Sequence, residues 1–416
     1  DRPSYRVGQA SELHPSGSLT CPASISRNGT SFIRFRAIEG VKLAKYHVAL
    51  SRCSDYSHLN QAFEELKYKA GLVNFEMRLP GKKVLVKPNI LGSFRPAQAA
   101  TTHPELVRTV VNWLCSAGAE VIVGDNCGVG GYGLNRLSAK RSGIIDAAGG
   151  RYRNLAKEVR AIEVDSRFFK KLVISQAVLD VDFIVNLPKL KTHALTLITL
   201  GVKNMFGILA GTSKSRIHSS APDLEDFGEA LADIYQIRPP DLTIIDGVVG
   251  MDGNGPSHGR IRDIGYLVAG HNAPSCDVVI AEMAGVEAQR VHHLRCTAER
   301  GLGPKKFADV ETSGTWEQFP QFRLPSTLVQ TRFVGSAINR HLYRPIINSR
   351  LMLKEKKCTA CKNCVAACPR SAMRWNTDRP QIDQEKCIRC LCCFELCPAG
   401  AWEIKGPLRR LMGKTI

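Results

Sequence analysis

Eight cysteines near the end of the chain repeat one pattern twice: Cys358-x2-Cys361-x2-Cys364-x3-Cys368-Pro369, then Cys387-x2-Cys390-x2-Cys393-x3-Cys397-Pro398. This is the spacing of a bacterial two-cluster ferredoxin. Three cysteines two residues apart can wrap three corners of a [4Fe-4S] cube, but the chain cannot turn back fast enough to supply the fourth. The fourth ligand therefore comes from the other half. The spacing predicts one cluster on Cys358, Cys361, Cys364 and Cys397, and a second on Cys387, Cys390, Cys393 and Cys368. Each proline after a fourth cysteine removes a backbone donor and fixes φ, which suits a chain leaving a cluster sharply.

Two competing chemistries fit less well. Zinc sites use cysteine pairs separated by a longer spacer, and a disulfide framework needs an oxidising compartment that no secretory segment here announces. Cys392, beside ligand Cys393, is a surplus thiol: a packing residue, or a neighbour able to swap in as ligand. The other six cysteines, Cys21, Cys53, Cys115, Cys127, Cys276 and Cys296, lack metal-like spacing and read as buried thiols of a reducing, cytoplasmic chain.

At 416 residues, a main domain plus an appended module is expected, and no apolar stretch reaches the length of a membrane span. The net charge is +19, most of it outside the cysteine-rich tail. Such an excess suits an anionic substrate, an acidic redox partner protein or an anionic surface. Nucleic acid is not expected as a partner, because no basic motif interleaved with aromatics and no recognised nucleic-acid fold signature is present.

Residues 1–44 form an irregular basic lead-in, in which Arg27, Arg34 and Arg36 leave a targeting remnant open. Residues 45–299 alternate helix and strand patterns. Strands are predicted at 82–87, 119–124, 182–187, 242–246 and 266–269. Helices are predicted near 59–70, 134–148, 195–209, 223–237 and 274–287, and from a capping box at Thr102-x-x-Glu105. The fold class is thus α/β, a mostly parallel sheet or sheets covered by helices. Residues 300–349 read as a connector with a bracing helix near 327–343, and 350–416 as a small ferredoxin-like α+β module.

In an open α/β sheet the ligand crevice lies at the carboxyl ends of the strands. Four predicted strands end in polar residues: Lys87 and Asn89, Asp125, Lys189, Lys191 and His193, and Asp246. Lysines there can bind an anion, and a histidine can supply a proton near neutral pH. Gly201 and Gly207 flank Lys203 and Asn204, and would each cost a plain helix roughly 1 kcal/mol, so that segment reads as pocket rather than solvated face. The loop Gly253-Asn254-Gly255-Pro256 lets backbone approach a phosphate or carboxylate, or is a solvent-exposed turn. His103 reads as an anion ligand or a structural residue. Gly128-x-Gly130-x-x-Gly133 matches a dinucleotide fingerprint only formally, because no acidic residue ends a clear next strand, and no phosphate-binding Walker loop occurs.

Lys87-Pro88-Asn89, His103-Pro104, Gly124-Asp125, Lys189-x-Lys191-x-His193, Gly201-Val202-Lys203-Asn204 and Gly253-x-Gly255-Pro256 together resemble the family called domain of unknown function 362. That family often carries a C-terminal ferredoxin module. The resemblance covers about residues 45–290 plus the tail, and implies an iron–sulfur protein of anaerobic or reductive metabolism with those residues as its pocket, without assigned roles.

The resulting expectation is an iron–sulfur oxidoreductase that passes electrons between two [4Fe-4S] clusters and a small anionic or carbonyl-bearing substrate. Lys189, Lys191 and Lys203 would neutralise charge, His193 would donate a proton, and Asp125 or Asp246 would orient the ligand. A two-electron reaction needs both clusters, two visits by a donor, or an organic cofactor such as a flavin. The alternative is a non-catalytic electron-transfer or assembly protein whose α/β domain docks a partner.

Overall fold

The computed structural model describes residues 46–128, 132–211, 213–221, 224–325, 350–388 and 390–405. The lead-in, Cys21, Gly130 and the bracing helix near 327–343 lie outside them. The strands are β1 (Tyr46–Arg52), β2 (Lys83–Pro88), β3 (Glu120–Val123), β4 (Val159–Glu163), β5 (Lys171–Ser175), β6 (Phe183–Leu187), β7 (Lys189–His193), β8 (Leu197–Thr199), β9 (Leu242–Asp252), β10 (Arg260–Gly270), β11 (Val310–Ser313), β12 (Arg350–Leu353), β13 (Met373–Asn376), β14 (Arg379–Ile382) and β15 (Trp402–Lys405). One mixed, mostly parallel sheet runs β11-β1-β10-β9-β6-β2-β3, with the β7–β8 hairpin joined through β9.

The central strands are buried on both faces, as a helix-covered parallel sheet requires. Alternation along β6 sends Ile184 into one core, and Phe183, Val185 and Leu187 into the other. Helices Leu224–Ile237 and Ala273–Met283 cover the first face, and Leu59–Lys69 and Pro104–Ser116 the second.

Several expectations need correction. The helix expected from Thr102 starts at Pro104 with His103 as its cap: the His103 ring accepts from Glu105 N, while Thr102 Oγ1 donates to Leu187 O. The stretch near 134–148 is two helices, Tyr132–Arg141 and Ile144–Ala147, parted by Gly143 at φ 76°. The apolar helix expected over 195–209 is instead β8, the helical turn Gly201–Asn204 and a 3-10 turn, Met205–Ile208. Within the expected connector, β11 pairs in parallel with β1 and extends the main sheet.

The tail shows its duplication in backbone geometry. Strand pairs β12–β15 and β13–β14 are antiparallel, and the helical turns Asn363–Ala366 and Cys392–Glu395 each carry a third cysteine. Lys362 (φ 57°) and Leu391 (φ 60°), the first residues after Cys361 and Cys390, both adopt the left-handed conformation. The module packs Leu391, Phe394 and Trp402 against Ala194, so it sits on the β7–β8 hairpin.

Candidate functional site

Pro188 ends β6 and sets the chain into β7, so β9 pairs first with β6 and then with β7, Lys189 opposite Asp246. Side chains two apart on a strand share a face, which puts Lys189, Lys191 and His193 in one row. The row feeds two different places.

Lys189 enters a closed network. Its ammonium lies 2.9 Å from Asp246 Oδ2 and donates to Tyr56 Oη at 2.8 Å. Tyr56 in turn donates to Asp246 Oδ1 at 2.8 Å, His103 N donates to Asp246 Oδ2, and the His103 ring stacks on Tyr56 at 3.5 Å. Asp246, Lys189 and His103 are thus bound to one another and to Tyr56, and none of the three lines the cavity described next. Of the loop 253–256, Pro256 lines that cavity. A Cβ on Gly255 would meet Thr192 O at 2.2 Å, and Thr192 Oγ1 donates to Gly253 O, so the loop hugs β7.

Lys191 and His193 enter a cavity of about 70 Å³ that opens to solvent. Asn89 and Asp125 reach it from the ends of β2 and β3, and Lys203 and Asn204 from the helical turn. Lys87 lies just behind, 2.7 Å from Asp125 Oδ1. That pair explains Gly207: a Cβ there would stand 2.0 Å from Asp125 Oδ1 and 2.6 Å from Lys87 Nζ. Asp277 accepts from Gly201 N (2.7 Å) and Val202 N (2.9 Å), and Asn204 donates to Asn186 Oδ1 at 2.8 Å. Those bonds fix the turn that carries Lys203.

Sequence reasoning did not place Asn126, Thr199, Lys214 and His218, the last two on helix Ser213–Ser220, or Cys392 and Glu395, on the module, in this cavity. Lys214 and His218 follow no strand, so the strand-end rule could not find them. The signal for Glu395 was a carboxylate inside Cys-Cys-Phe-Glu-Leu-Cys, where packing around clusters leaves little room for an unpaired charge. The thiol of Cys392 shares a hydrogen bond with Cys390.

Burial lowers the pKa of every lysine here: Lys191 well below its ordinary value, with Lys203 pushing further, and Lys214 to about 8. Burial and then Lys203 hold His193 at about 4, so it is neutral at pH 7. Its Nδ1 accepts from Leu195 N at 3.0 Å, which leaves the proton on Nε2, 3.1 Å from Glu395 Oε1. The Nε2 side of His193 therefore faces Glu395 of the module at ion-pair distance. Burial would raise Glu395, but His193 and then Lys203 oppose it and the carboxyl stays anionic.

Among the described residues Lys203 has no hydrogen-bond or ion-pair partner. Asn89 Oδ1, Asn126 Nδ2 and Thr199 Oγ1, all on the cavity wall, are buried without hydrogen bonds. Buried polar atoms are nearly always satisfied, so these three are placed to bond water or a polar occupant of the cavity.

A second cavity tests the cluster assignment. Its lining includes Cys358, Cys361, Cys364 and Cys397, three cysteines of one half and the fourth of the other. In the other set, burial pushes the Cys393 thiol up, and its neighbours Cys390, Cys387 and Cys368, with Cys364 of the first set, push it further. Both fourth cysteines accept a backbone N–H from four residues on, Ala372 to Cys368 at 3.2 Å and Ala401 to Cys397 at 3.3 Å. The residues fit iron–sulfur ligation.

A family model described as domain of unknown function (DUF362) matches residues 84–282, and one described as 4Fe-4S dicluster domain matches residues 350–398. The chain is 35% identical over 244 residues to the thylakoid-associated protein sll1697 of Synechocystis sp., an alignment covering 56% of this chain and 72% of that protein. The chain belongs to the DUF362 family. Like the resemblance read from its motifs, this membership names no reaction. Among solved structures, the lactate racemase apoprotein from Thermoanaerobacterium thermosaccharolyticum is similar at 15% identity and a TM-score of 0.35, covering 60% of this chain and 58% of that one. The chain thus spans little more than half of that protein, and so slight a likeness carries no argument. This DUF362 protein carries a 4Fe-4S dicluster module, and among its described residues no helix is long and apolar enough to cross a membrane.

Proposed function

We propose that this protein is an iron–sulfur oxidoreductase acting on a small anionic or carbonyl-bearing substrate held between the α/β strand ends and the ferredoxin module. One observation carries the reading: the same cavity is walled by Lys191, Lys203 and Lys214 on one side and by Cys392, Glu395 and Leu396 on the other. When bound, the two [4Fe-4S] clusters supply electrons one at a time. Four lysines, counting Lys87, face only two carboxylates, Asp125 and Glu395, so a negatively charged occupant relieves their mutual repulsion. In this reading Lys203 holds the anion, Asn126 Nδ2 and Thr199 Oγ1 donate to its oxygens, and Lys214, lowered by burial to about 8, delivers protons. His193 positions the module through Glu395. Residence on the cytoplasmic side belongs to the same proposal. The relative's name speaks of association with thylakoids, which a surface contact would satisfy.

The experiment uses protein purified without oxygen, with iron and sulfide counted and acid-released small molecules identified by mass spectrometry. About eight irons per chain support two cubane clusters, and a released flavin would supply a two-electron centre. Phosphate, oxalate and pyruvate are then titrated while the spectrum of the reduced clusters is followed. A saturable change that Lys203→Met abolishes supports the pocket. No change with any anion, at full iron content, favours the second reading, an electron-transfer protein whose α/β domain docks a partner.

A further inference from the structure

The two ends of the ferredoxin module face different surroundings. Around Cys392 and Glu395 the module is buried against the main domain: Glu395 meets His193, and the Phe394 ring lies edge-on to His258. Around the cavity of Cys358, Cys361, Cys364 and Cys397 the lining comes from the module alone, and Cys361 is exposed. The iron–sulfur reading therefore gives the protein one site at the surface and one turned inward.

The surface end is charged with one sign. Lys356 and Lys357 are exposed on the 3-10 turn just before Cys358, and Lys362, exposed just after Cys361, holds its ammonium over Trp375 at the cavity's lip, 5.2 Å from the ring. Among the described residues none of the three has an acidic partner. The neighbouring acids are taken: Glu355 and Asp378 by Arg379, Glu403 by Lys354. Three exposed cations with no acidic side chain beside them present a positive rim that complements an anionic visitor.

We propose that the rim formed by Lys356, Lys357 and Lys362 around Cys361 docks an acidic one-electron carrier protein. This rests on the iron–sulfur reading of the module. One electron passes between the carrier and the centre held by Cys358, Cys361, Cys364 and Cys397, one partner oxidised as the other is reduced, and no bond or proton moves. Small contacts steered by complementary charge suit an encounter that must form and part quickly.

The test mixes the iron-loaded protein with a reduced acidic [2Fe-2S] carrier protein in a stopped-flow instrument, and measures their binding by calorimetry. Replacing all three, Lys356→Glu, Lys357→Glu and Lys362→Glu, should lower the association rate at least about tenfold at low salt, and the difference should vanish near about 0.5 M salt. Photochemical reduction by a deazaflavin should be unchanged. Lys140→Glu with Arg141→Glu, on an exposed helix of the main domain, should leave the rate within about twofold. An unchanged carrier rate in the triple variant overturns the proposal, and so does a wild-type rate indifferent to salt. If the triple variant loses iron, Lys356→Gln and Lys357→Gln, outside the cysteine run, should each slow association about two- to threefold, and no slowing counts against it. Capture on anionic lipid vesicles that needs these lysines, with the carrier rate unaffected, would make the face a membrane contact. A wild-type chain without iron fails the underlying reading instead.

Discussion

Lys189 and Lys191 stand two residues apart on one strand, both 1% exposed, yet they serve opposite ends. Lys189 is enclosed by Asp246 and Tyr56, and each polar atom of that network has a partner. Lys191 opens onto Lys203, with orphaned Asn89 and Thr199 around it. Burying a charge is costly unless it is paired. The closed network meets that condition within the chain, whereas in the open one Lys191 donates to Ala100 O and has no ion pair among the described residues. Residue type and burial alone do not mark a functional lysine; the state of its neighbours does.

Breaking the closed network should have the largest effect. Lys189→Met leaves Asp246 as a buried carboxylate without its cation and should destabilise the fold by about 3–5 kcal/mol, read as a fall in the urea midpoint. Lys203→Met should do the reverse. Stability should hold or rise, while affinity for a bound anion falls about 100-fold, or about 2.7 kcal/mol, by calorimetric titration. If the two variants lose equal stability, the distinction between the networks is wrong.

The floor of the open pocket gives a smaller effect. Gly207→Ala forces a methyl against Asp125 and Lys87, and such overpacking costs about 1–3 kcal/mol. Because that ion pair underlies the cavity wall, anion affinity should fall with stability. An alanine variant that binds anions normally would mean the turn at Met205–Ile208 shifts freely.

The cysteine tail was the most legible part of the chain, because ligand geometry dictates spacing directly and Pro369 and Pro398 mark both ends. The central strands were legible for a similar reason: runs such as Val84-Leu85-Val86 have no polar face to mislead. The candidate pocket was legible only where strands end. Lys189-x-Lys191-x-His193 has the period of a strand, but its polarity hid that, since burying two lysines and a histidine looks unfavourable without knowing that Asp246 and Glu395 lie opposite. The segment 195–209 misled in the other direction. Its apolar residues suit a helix, yet Asp277, more than 70 positions away, caps a turn there that sequence alone could not place. Lys214 and His218 needed the tertiary fold, and Glu395 needed the docking of one module on the other.

The smallest effect concerns a third buried cation-former. His293 is fully buried and both ring nitrogens lack partners. Burial, and then Lys203, hold it at about 3, so the folded protein keeps it neutral while an unfolded chain would protonate it near its ordinary 6.5. Because the unfolded state binds more protons between those values, the stability tied to His293 is complete above about pH 6.5 and is lost as pH falls toward 3. His293→Leu removes that dependence and the two unsatisfied nitrogens together. The variant should match or exceed the wild type at pH 7.5, and its stability should fall less steeply below pH 6.5, by about 1 kcal/mol per pH unit. Urea unfolding of both proteins at pH 7.5, 6.5 and 5.5 measures the two slopes. Equal slopes would mean that His293 finds a proton acceptor or water in solution, which would put a polar path behind Lys203 and extend the open network into the helix layer.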